Sequence, residues 1–413
     1  MARARKTALL LLLATPAVMW AQSPRTKSGS ATAELESCRI RRITGLPGSH
    51  NFASDFLEAI ATAPGADRTS AAGDSADALW GLTADLSSQV SPQEQALYIS
   101  KSTDGGATWT ELARIDSRYF NAKISEGLRN GLAVSPGGTY FIITTQRGAF
   151  QIFPRTNPAA PLVKALTGPL TPDSPSVSSA KKPGEPVRAN ALSMTADETR
   201  LFIGYGYFDL EPQLFSYRKS DDGSWIQDVP PALLPMDQDI LSMEFDNSAN
   251  PHLLYVGTGD QAYALDLPTR KWTMVDGVGP DSAIHSMTLA GGLHIAACWG
   301  VYNPVNALAV TRLTHARFLL HRNSDDIGPN IRAYSIDVDP ANPAREVVTS
   351  LTGVYTTEDR GDTWRRLNDL PQQEFRSAHL NRDGSVLVSG IAGTFLVNPF
   401  AARCSPTLKQ RRK

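Results

Sequence analysis

The sequence has almost no excess charge, because 40 Lys and Arg residues are balanced by 41 Asp and Glu residues, for a formal net charge of −1. Proteins that bind nucleic acid need a surplus of cationic side chains against the phosphates. The balance therefore argues against nucleic acid as a partner. The short basic segment KQRRK at 409–413 is interpreted as part of a solvated tail over 405–413.

Several signatures of catalysis and cofactor binding are missing. The chain has no G-x-S-x-G nucleophile elbow, no phosphate-binding P-loop and no His-rich spacing for zinc. The segment GTGDQA at 257–262 fits G-x-G-x-x-A. A dinucleotide site needs a helix after this motif, however, and the following YALDL is typical of a strand. We expect neither a cofactor nor a metal ion.

Long apolar runs are scarce, with one at the N-terminus. There Arg3, Arg5 and Lys6 precede ALLLLLATPAVMWA, after which the chain turns polar at Gln22. This plan is typical of a secretory signal peptide and is short for a membrane span. We expect a signal peptide over 1–21 (cleavage after Ala17 is the alternative), a flexible lead-in over 22–37, and a secreted or periplasmic chain without a membrane span after cleavage.

Long helical patterns are also scarce, whereas short β-type runs between Gly, Pro, Asn and Asp residues recur along the chain. Segments 189–229, 239–278 and 331–371 share one order of four strands separated by polar, Gly-rich and polar turns. Four short strands in a period of about 40 to 50 residues are typical of a β-propeller blade. Because such a sheet cannot cover both of its own faces, neighbouring blades must do so in a ring.

Six blades are predicted to begin near residues 56, 130, 190, 239, 284 and 331. A seventh, at 375–400, supplies only three strands. The segment RRITGLP at 41–47 is similar to RRLNDLP at 365–371, the predicted fourth strand of the sixth blade. The predicted fold is therefore all-β: one seven-bladed propeller of four-stranded antiparallel blades over 38–404, with its ring closed by the N-terminal strand, which also hides a sheet edge.

Cysteine is rare, with three residues in the chain. Closure of the ring would bring Cys38 toward Cys404, and a disulfide between them would clamp a very long loop. Two unrelated free thiols are the alternative. Cys298 lies in the apolar run LHIAACWG and is interpreted as a buried small hydrophobic residue rather than a reactive thiol.

A short motif recurs at the predicted hairpin between the third and fourth strands of a blade. Its Asp can accept backbone hydrogen bonds in the turn, its Gly permits a positive φ, and its Trp supplies apolar surface. The motif occurs in full, with one conservative change, and in a contracted form. Its positions are Ser102, Asp104, Gly106, Thr108 and Trp109; Thr357, Asp359, Gly361, Thr363 and Trp364; and Ser220, Asp222, Gly223, Ser224 and Trp225.

The motif resembles the Asp-box, S-x-D-x-G-x-T-W, of the sialidase-like propeller superfamily. The sixth blade is similar to blades of xyloglucanase-type glycoside hydrolases, sortilin-type receptors and photosystem II assembly propellers. The resemblance implies that the box is a structural staple on the outer rim, so that its Asp residues are not catalytic. It also implies a sialidase triad from Arg188, Arg332 and Arg376, although the F-R-I-P segment of sialidases is missing.

Propeller sites form at one mouth of the central channel, from the start of each inner strand and from the loop between the second and third strands. Arginine side chains that converge there would hold a carboxylate; the alternative is that they pair with acidic residues of neighbouring blades. Aromatic residues there would be sugar-stacking platforms or packing between blades. The candidate ligand-binding residues are Arg129, Arg188, Arg332, Arg376, Tyr205, Trp299 and Tyr302.

A glycosidase needs two carboxylates across a sugar, about 5 Å apart for retention or about 6.5 to 9.5 Å apart for inversion. The candidates are Asp237 or Asp239 with Asp281, from adjacent blades, and Glu374 with Asp55. Acidic residues are also common in turns. The preferred hypothesis is an exported, monomeric, non-catalytic propeller that binds an anionic protein or carbohydrate at the channel mouth; the alternative is a glycoside hydrolase that uses the paired carboxylates.

Overall fold

The computed structural model describes residues 40–48, 57–63, 78–85, 95–120, 131–170, 184–207, 210–233, 239–246, 253–278, 283–290, 292–298, 300–304, 318–321, 332–339 and 341–400. Within these ranges the chain is almost entirely β-structure, with one short 3-10 helix at Ser117–Tyr119. Its 28 strands form seven sheets of four antiparallel strands each. The predicted fold class is confirmed.

The N-terminal strand, β1, spans Ile40–Ile43. The other strands follow in chain order, four to a blade in blades 1 to 6 and three in blade 7. They are β2 Leu57–Ala61, β3 Leu79–Asp85, β4 Ala96–Ser102 and β5 Thr110–Asp116; β6 Leu132–Val134, β7 Phe141–Thr145, β8 Gly148–Phe153 and β9 Leu162–Ala165; β10 Ala189–Met194, β11 Arg200–Tyr207, β12 Leu210–Lys219 and β13 Trp225–Leu233; β14 Ile240–Phe245, β15 Leu253–Thr258, β16 Ala262–Asp266 and β17 Lys271–Met274; β18 Ile284–Leu289, β19 Leu293–Ala297, β20 Gly300–Pro304 and β21 Phe318–His321; β22 Ala333–Val338, β23 Glu346–Ser350, β24 Gly353–Thr357 and β25 Arg365–Arg366; β26 Phe375–Leu380, β27 Val386–Gly390 and β28 Gly393–Val397.

The first strand of each blade lies at the centre of the ring. The strands β2, β6, β10, β14, β18, β22 and β26 contact one another in that order, and β26 contacts β2. The N-terminal strand β1 pairs antiparallel with β28, from Ile40 opposite Val397 to Ile43 opposite Thr394. It is therefore the outer strand of blade 7, as the sequence predicts.

Hydrogen bonds join blade 7 to blade 1 at the centre of the ring. The Leu57 N–H donates to Ser389 Oγ at 2.6 Å, and the Ser377 hydroxyl donates to the Leu57 carbonyl at 3.0 Å. An equivalent bond runs from the Ser242 hydroxyl in blade 4 to the Ile284 carbonyl in blade 5 at 2.9 Å. The first and last blades are thus joined by the same kind of contact as an ordinary pair of neighbouring blades.

Burial between blades explains why the second strands are so apolar. The strands β7, β19, β23 and β27 are buried at every residue, because each face of a blade is covered by a neighbour. One apolar cluster combines Ile43 of β1 with Leu387 of blade 7 and with Leu57 and Leu79 of blade 1. This cluster removes from water the seam between the last blade and the first.

The recurring turn motif forms the hydrogen bonds that the sequence predicts. In blade 1, Asp104 accepts from the Thr108 N–H at 2.8 Å and from the Thr108 hydroxyl at 2.6 Å, while Ser102 Oγ accepts from the Gly106 N–H at 2.8 Å. The turn of blade 6 repeats this pattern, with Asp359 accepting from the Thr363 N–H at 2.9 Å. The two turns therefore share one hydrogen-bonded structure.

The contracted copy in blade 3 holds its Asp in a similar way. Asp222 accepts hydrogen bonds from Ser220 and Ser224. These bonds, that from Ser220 first, lower the pKa of Asp222 to about 2. The contraction therefore shortens the turn and keeps its ionised carboxylate.

Each of these turns also belongs to the contact with the preceding blade. Trp364 of blade 6 lies in one apolar cluster with Ala296 and Val301 of blade 5, and Trp225 of blade 3 lies in a cluster with residues of blade 2. In blade 1 the preceding blade is blade 7, and Asn381 there donates to the Gly105 carbonyl at 2.9 Å. The motif thus contributes to the packing between blades.

A glycine is required where the blade 1 turn meets blade 7. Gly106 has φ 94°, and a Cβ at this position would lie 2.7 Å from a methyl carbon of Leu387. Conformation and space therefore both select glycine at this point of the motif.

The predicted signal peptide, lead-in and basic tail lie outside the described residues, as do Cys38 and Cys404, so the disulfide between them stays a prediction. In the part of the chain that the structure describes, no helix has the length and apolar character needed to cross a membrane.

Two substitutions in β1 test the closure of the ring. Ile43 is 2% exposed, and Ile43→Ala should lower the free energy of unfolding by about 2 to 4 kcal/mol because it leaves a cavity in the seam. Ile40→Ala, in the partly exposed first position of the same strand, should cost about 1 kcal/mol or less. Denaturant titration measures both. Equal, negligible effects would show that β1 does not pack in blade 7.

The pH dependence of stability tests the turn of blade 6. Burial raises the pKa of Asp359, but hydrogen bonds from Thr357 and Thr363 lower it by a larger amount. The net shift of the pKa is therefore downward. Its stabilisation is therefore present at neutral pH and is lost as the pH falls through its folded value. Asp359→Ala should cost about 1 to 2 kcal/mol at neutral pH and progressively less below about pH 4.

Asp362→Ala is the matched control, because Asp362 is an exposed residue of the same turn. Thermal unfolding at a series of pH values compares the two variants. An equal loss of stability in both, or a loss for Asp359→Ala that does not depend on pH, would contradict a structural role for the carboxylate.

Candidate functional site

A β-bulge recurs at the start of the inner strand in six of the blades. In each case the first residue of the strand pairs with the second strand, the next residue is skipped, and pairing then resumes. A bulge leaves one residue outside the regular ladder and re-aims its side chain. The skipped residues, which we call the bulge positions, are Glu58, Asn190, Leu241, His285, Tyr334 and Arg376.

A second set of equivalent positions directly precedes the inner strands. The carbonyl of each accepts a backbone hydrogen bond, at 3.0 or 3.1 Å, from the end of the second strand of its own blade or from the turn that follows it. The start of the inner strand and this turn therefore lie together at one end of the channel, which we call the mouth. The residues of this set are Arg188, Asp239, Ala283, Arg332 and Glu374.

Arg376 connects blade 7 to blade 1 at the mouth. Its Nε donates to Glu374 at 2.7 Å, and its guanidinium lies 3.9 Å from a carboxylate oxygen of Glu58 in the neighbouring blade. Burial lowers the pKa of Arg376, but Glu374 and Glu58 raise it by more, so the net shift is upward. The positive charge of Arg376 is therefore balanced by two carboxylates of blades 1 and 7, and its side chain is not directed at a ligand carboxylate.

A different group joins blades 5 and 6. His285 Nε2 lies 3.3 Å from Cys298 Sγ, and the imidazole packs edge-on against the Tyr334 ring, with centroids 5.6 Å apart. Burial lowers the pKa of Arg332, but Cys298 and Tyr334 raise it by more, and the net shift is upward. The exposed guanidinium of Arg332 is therefore held beside a thiol and a phenol at the mouth.

Blades 3 and 4 contribute a third charged group. Burial raises the pKa of Asp239, and the nearby Arg188 guanidinium offsets part of this increase. Asp239 is thus a carboxyl group that holds its proton more firmly than an ordinary Asp, which is the property of a general acid or a hydrogen-bond donor.

Arg376 lies against Glu374 of its own blade and Glu58 of the adjacent blade. Arg188 interacts electrostatically with Asp239 of the adjacent blade. Both observations favour the second of the two alternatives for these arginines. Arg332 is the exposed arginine among the three that were proposed as a sialidase triad. Five candidate residues lie outside the described part of the chain: Arg129, Trp299, Asp237, Asp281 and Asp55. Their predicted roles stay predictions, as do the predicted carboxylate pairs that include Asp281 or Asp55.

Two predicted ligand-binding residues are packing residues in this structure. Tyr205 and Tyr302 are each 1% exposed. Tyr205 packs edge-on against Phe215 and shares a hydroxyl–hydroxyl hydrogen bond of 2.9 Å with Tyr217. Their rings cannot serve as sugar-stacking platforms, because both faces are covered by the sheet and its neighbours. Both residues lie within strands, β11 and β20, rather than in the loops where the sequence placed them.

Reasoning from the sequence included one bulge position, Arg376, among its candidates and missed the other five. Glu58, His285 and Tyr334 each stand second in a short apolar run, in LEAIA, IHSMT and AYSID. A residue of polar character at this recurring position is the signal that identifies them. Alignment of the repeats on their inner strands, rather than on their turns, would have found it.

Among the described residues, no group of three or more His, Cys, Asp and Glu side chains is arranged to hold a metal ion. The described residues of the mouth include the guanidinium of Arg332, the carboxyl group of Asp239 and the thiol of Cys298.

The fold is similar to three solved structures. A GH74 enzyme of Niastella koreensis matches with a TM-score of 0.51 and 17% identity, over 82% of this chain and 51% of that one. The extracellular domain of a hybrid two component system of B. thetaiotaomicron matches with 0.52 and 11%, over 87% and 39%. U3-55K matches with 0.52 and 10%, over 87% and 98%. The chain thus spans about half or less of the first two proteins.

No protein-family model and no curated protein sequence matches the chain. The structural similarities are below 25% identity in each case and show the fold alone. Fold and site together define the class of the protein: it is a seven-bladed β-propeller with polar inter-blade contacts at one mouth of its channel.

The raised pKa of Asp239 predicts how its removal affects stability. A carboxyl whose folded pKa lies above its unfolded value favours the folded state when protonated, so its charged form destabilises the fold at neutral pH. Asp239→Asn should therefore raise the melting temperature at neutral pH, and this gain should vanish below about pH 4, where both states are protonated.

Asp276→Asn, at an exposed position of the same blade, is the control and should change the melting temperature little at either pH. Calorimetry at the two pH values measures both. A loss of stability for Asp239→Asn at neutral pH would contradict the assignment, because it would show that the charged form is favourable.

Proposed function

We propose that the chain is an exported, monomeric binding propeller of the Asp-box, sialidase-like type, and that its partner lies over the mouth at blades 5 to 7. The Asp-box assignment is supported by the hydrogen bonds of Asp104 and Asp359 in their turns. Export is supported by the N-terminal sequence. The partner is a protein segment that presents a carboxylate next to apolar side chains; a carboxylate-bearing glycan is the alternative partner.

The observation that carries this proposal is that the mouth presents an exposed arginine, Arg332, together with two exposed aliphatic side chains. The Leu351 N–H donates to the Arg332 carbonyl at 3.1 Å, and the Ile391 N–H donates to the Glu374 carbonyl at 3.0 Å. These two turn residues are 46% and 51% exposed, although both are large and apolar. Adjacent blades thus present aliphatic surface beside a guanidinium, and such exposed apolar groups are typical of recognition surfaces.

A glycoside hydrolase is the second candidate. It is supported by the raised pKa of Asp239 and by the similarity of the fold to a GH74 enzyme. In this hypothesis Asp239 acts as the acid and Asp281 as its partner. The sialidase version has less support, because Arg376 is already paired with Glu374 and Glu58.

Peptide and glycan arrays that include acidic members test the binding hypothesis. Arg332→Glu should weaken the binding of any acidic ligand by about tenfold or more, because it replaces a charge-assisted contact by repulsion. The control is Arg155→Glu, an exposed arginine in the turn between β8 and β9, at the opposite end of the strands. Equal binding by the natural chain and Arg332→Glu would contradict the proposal.

Turnover of aryl glycosides tests the glycoside hydrolase hypothesis. Turnover that is lost in Asp239→Asn or Asp281→Asn would replace the binding hypothesis with the hydrolase. Binding of the chain to members of the peptide array would identify a protein partner. Binding to members of the glycan array would identify a carbohydrate partner.

A further inference from the structure

The position of Cys298 differs from that of a buried small hydrophobic residue. Its N–H donates to the Ala283 carbonyl at 3.0 Å, so it occupies the same turn position in blade 5 as Leu351 in blade 6 and Ile391 in blade 7. Those two side chains are 46% and 51% exposed. Cys298 is itself partly exposed, in contrast to a buried core residue.

Two side chains from different blades approach this sulfur. His285, a bulge position of the same blade, places Nε2 3.3 Å from Sγ. Arg332 of blade 6 also interacts with the sulfur. An imidazole at this distance is placed to accept the thiol proton, and a guanidinium stabilises a negative sulfur. The ring thus brings together three residues that lie on separate strands and loops of the sequence.

We propose that Cys298 is a site of reversible modification by thiol–disulfide exchange, and that its preferred reagents are small disulfides that carry carboxylates. His285 Nε2 takes the proton, and the Cys298 sulfur attacks one sulfur of the disulfide. The bond between the two reagent sulfurs breaks as the new disulfide bond forms, and the departing thiolate is protonated. Cys298 is oxidised to a mixed disulfide and half of the reagent is reduced to a thiol, so no further oxidant is needed.

The choice of carboxylate-bearing disulfides follows from Arg332, which is exposed beside the sulfur. A carboxylate of the incoming reagent can pair with this guanidinium while the disulfide meets the thiol. The inference does not depend on the proposed function, because it concerns the reactivity of one side chain and holds whether the mouth binds a protein, a glycan or a substrate.

The experiment measures exchange of the reduced, full-length chain with oxidised glutathione. Peptide mass spectrometry after an acid quench follows the adduct on Cys298. In the folded chain, the rate at neutral pH should exceed the rate in the denatured chain by about threefold or more. An equal or slower rate in the folded chain would overturn the proposal, and this comparison requires no substitution.

Substitution of the two neighbours separates reactivity from a merely structural effect. His285→Asn should slow exchange by about threefold or more at neutral pH, and the difference should disappear near pH 10, where hydroxide can take the proton in place of the imidazole. Circular dichroism confirms that the variant is folded at both pH values. A rate in His285→Asn that equals that of the natural chain at neutral pH would overturn the role of the imidazole.

The charge of the reagent tests Arg332. Arg332→Gln should slow exchange with oxidised glutathione, but it should leave unchanged or accelerate exchange with cystamine, whose ends are cationic. Arg155→Gln, at the other end of the strands, is the control and should leave both rates unchanged. Equal slowing with both reagents would show that Arg332 acts through the fold rather than through its charge, and would overturn the stated reagent preference.

Discussion

The pairing of β1 with β28 is the interaction on which the rest of the structure depends. A four-stranded sheet cannot bury both of its faces alone, so each blade is stable only between two neighbours. Blades 1 to 6 are continuous in the chain, whereas blade 7 takes its outer strand from residues 40–43. This strand covers an edge that would otherwise be open to other chains, and Ile43 joins the apolar seam between the last blade and the first.

Closure also determines the arrangement at the channel mouth. The bulge positions are equivalent in sequence but are brought into contact only when neighbouring blades are side by side. Glu58 meets Arg376 across the junction of blades 1 and 7, and His285 meets Tyr334 across that of blades 5 and 6. The regular outer part of each blade therefore provides stability, while the irregular start of its inner strand provides the polar groups. Function in such a ring is expected where the repeats differ from one another.

The sequence predicts the fold well because the signals for blades are local. Turns rich in Gly, Asp and Asn recur at a fixed period, and the predicted starts of the first six blades lie within two residues of the observed strands. The similarity of 41–47 to 365–371 also identified the closing strand. These features depend on short-range chemistry, such as the hydrogen bonds of Asp359 in its turn.

The site was predicted less well because it depends on relations between blades. Arg188, Arg332, Arg376, Asp239 and Glu374 were correctly placed at the start of the inner strands, but their partners depend on which blades are neighbours. The orientation of an aromatic ring depends on packing, which is why Tyr205 and Tyr302 turned out to be buried. The neighbours of Cys298 come from two blades, so no single stretch of sequence reveals them.

Hydrogen–deuterium exchange tests the central claim, closure of the ring by the N-terminal strand, most directly. If β1 is the outer strand of blade 7, the amides of residues 41–43 that bond to β28 should exchange far more slowly than those of surface turns, and removal of residues 40–43 should expose β28 to exchange. Rapid exchange at 41–43, with unchanged protection of β28 after their removal, would contradict the account.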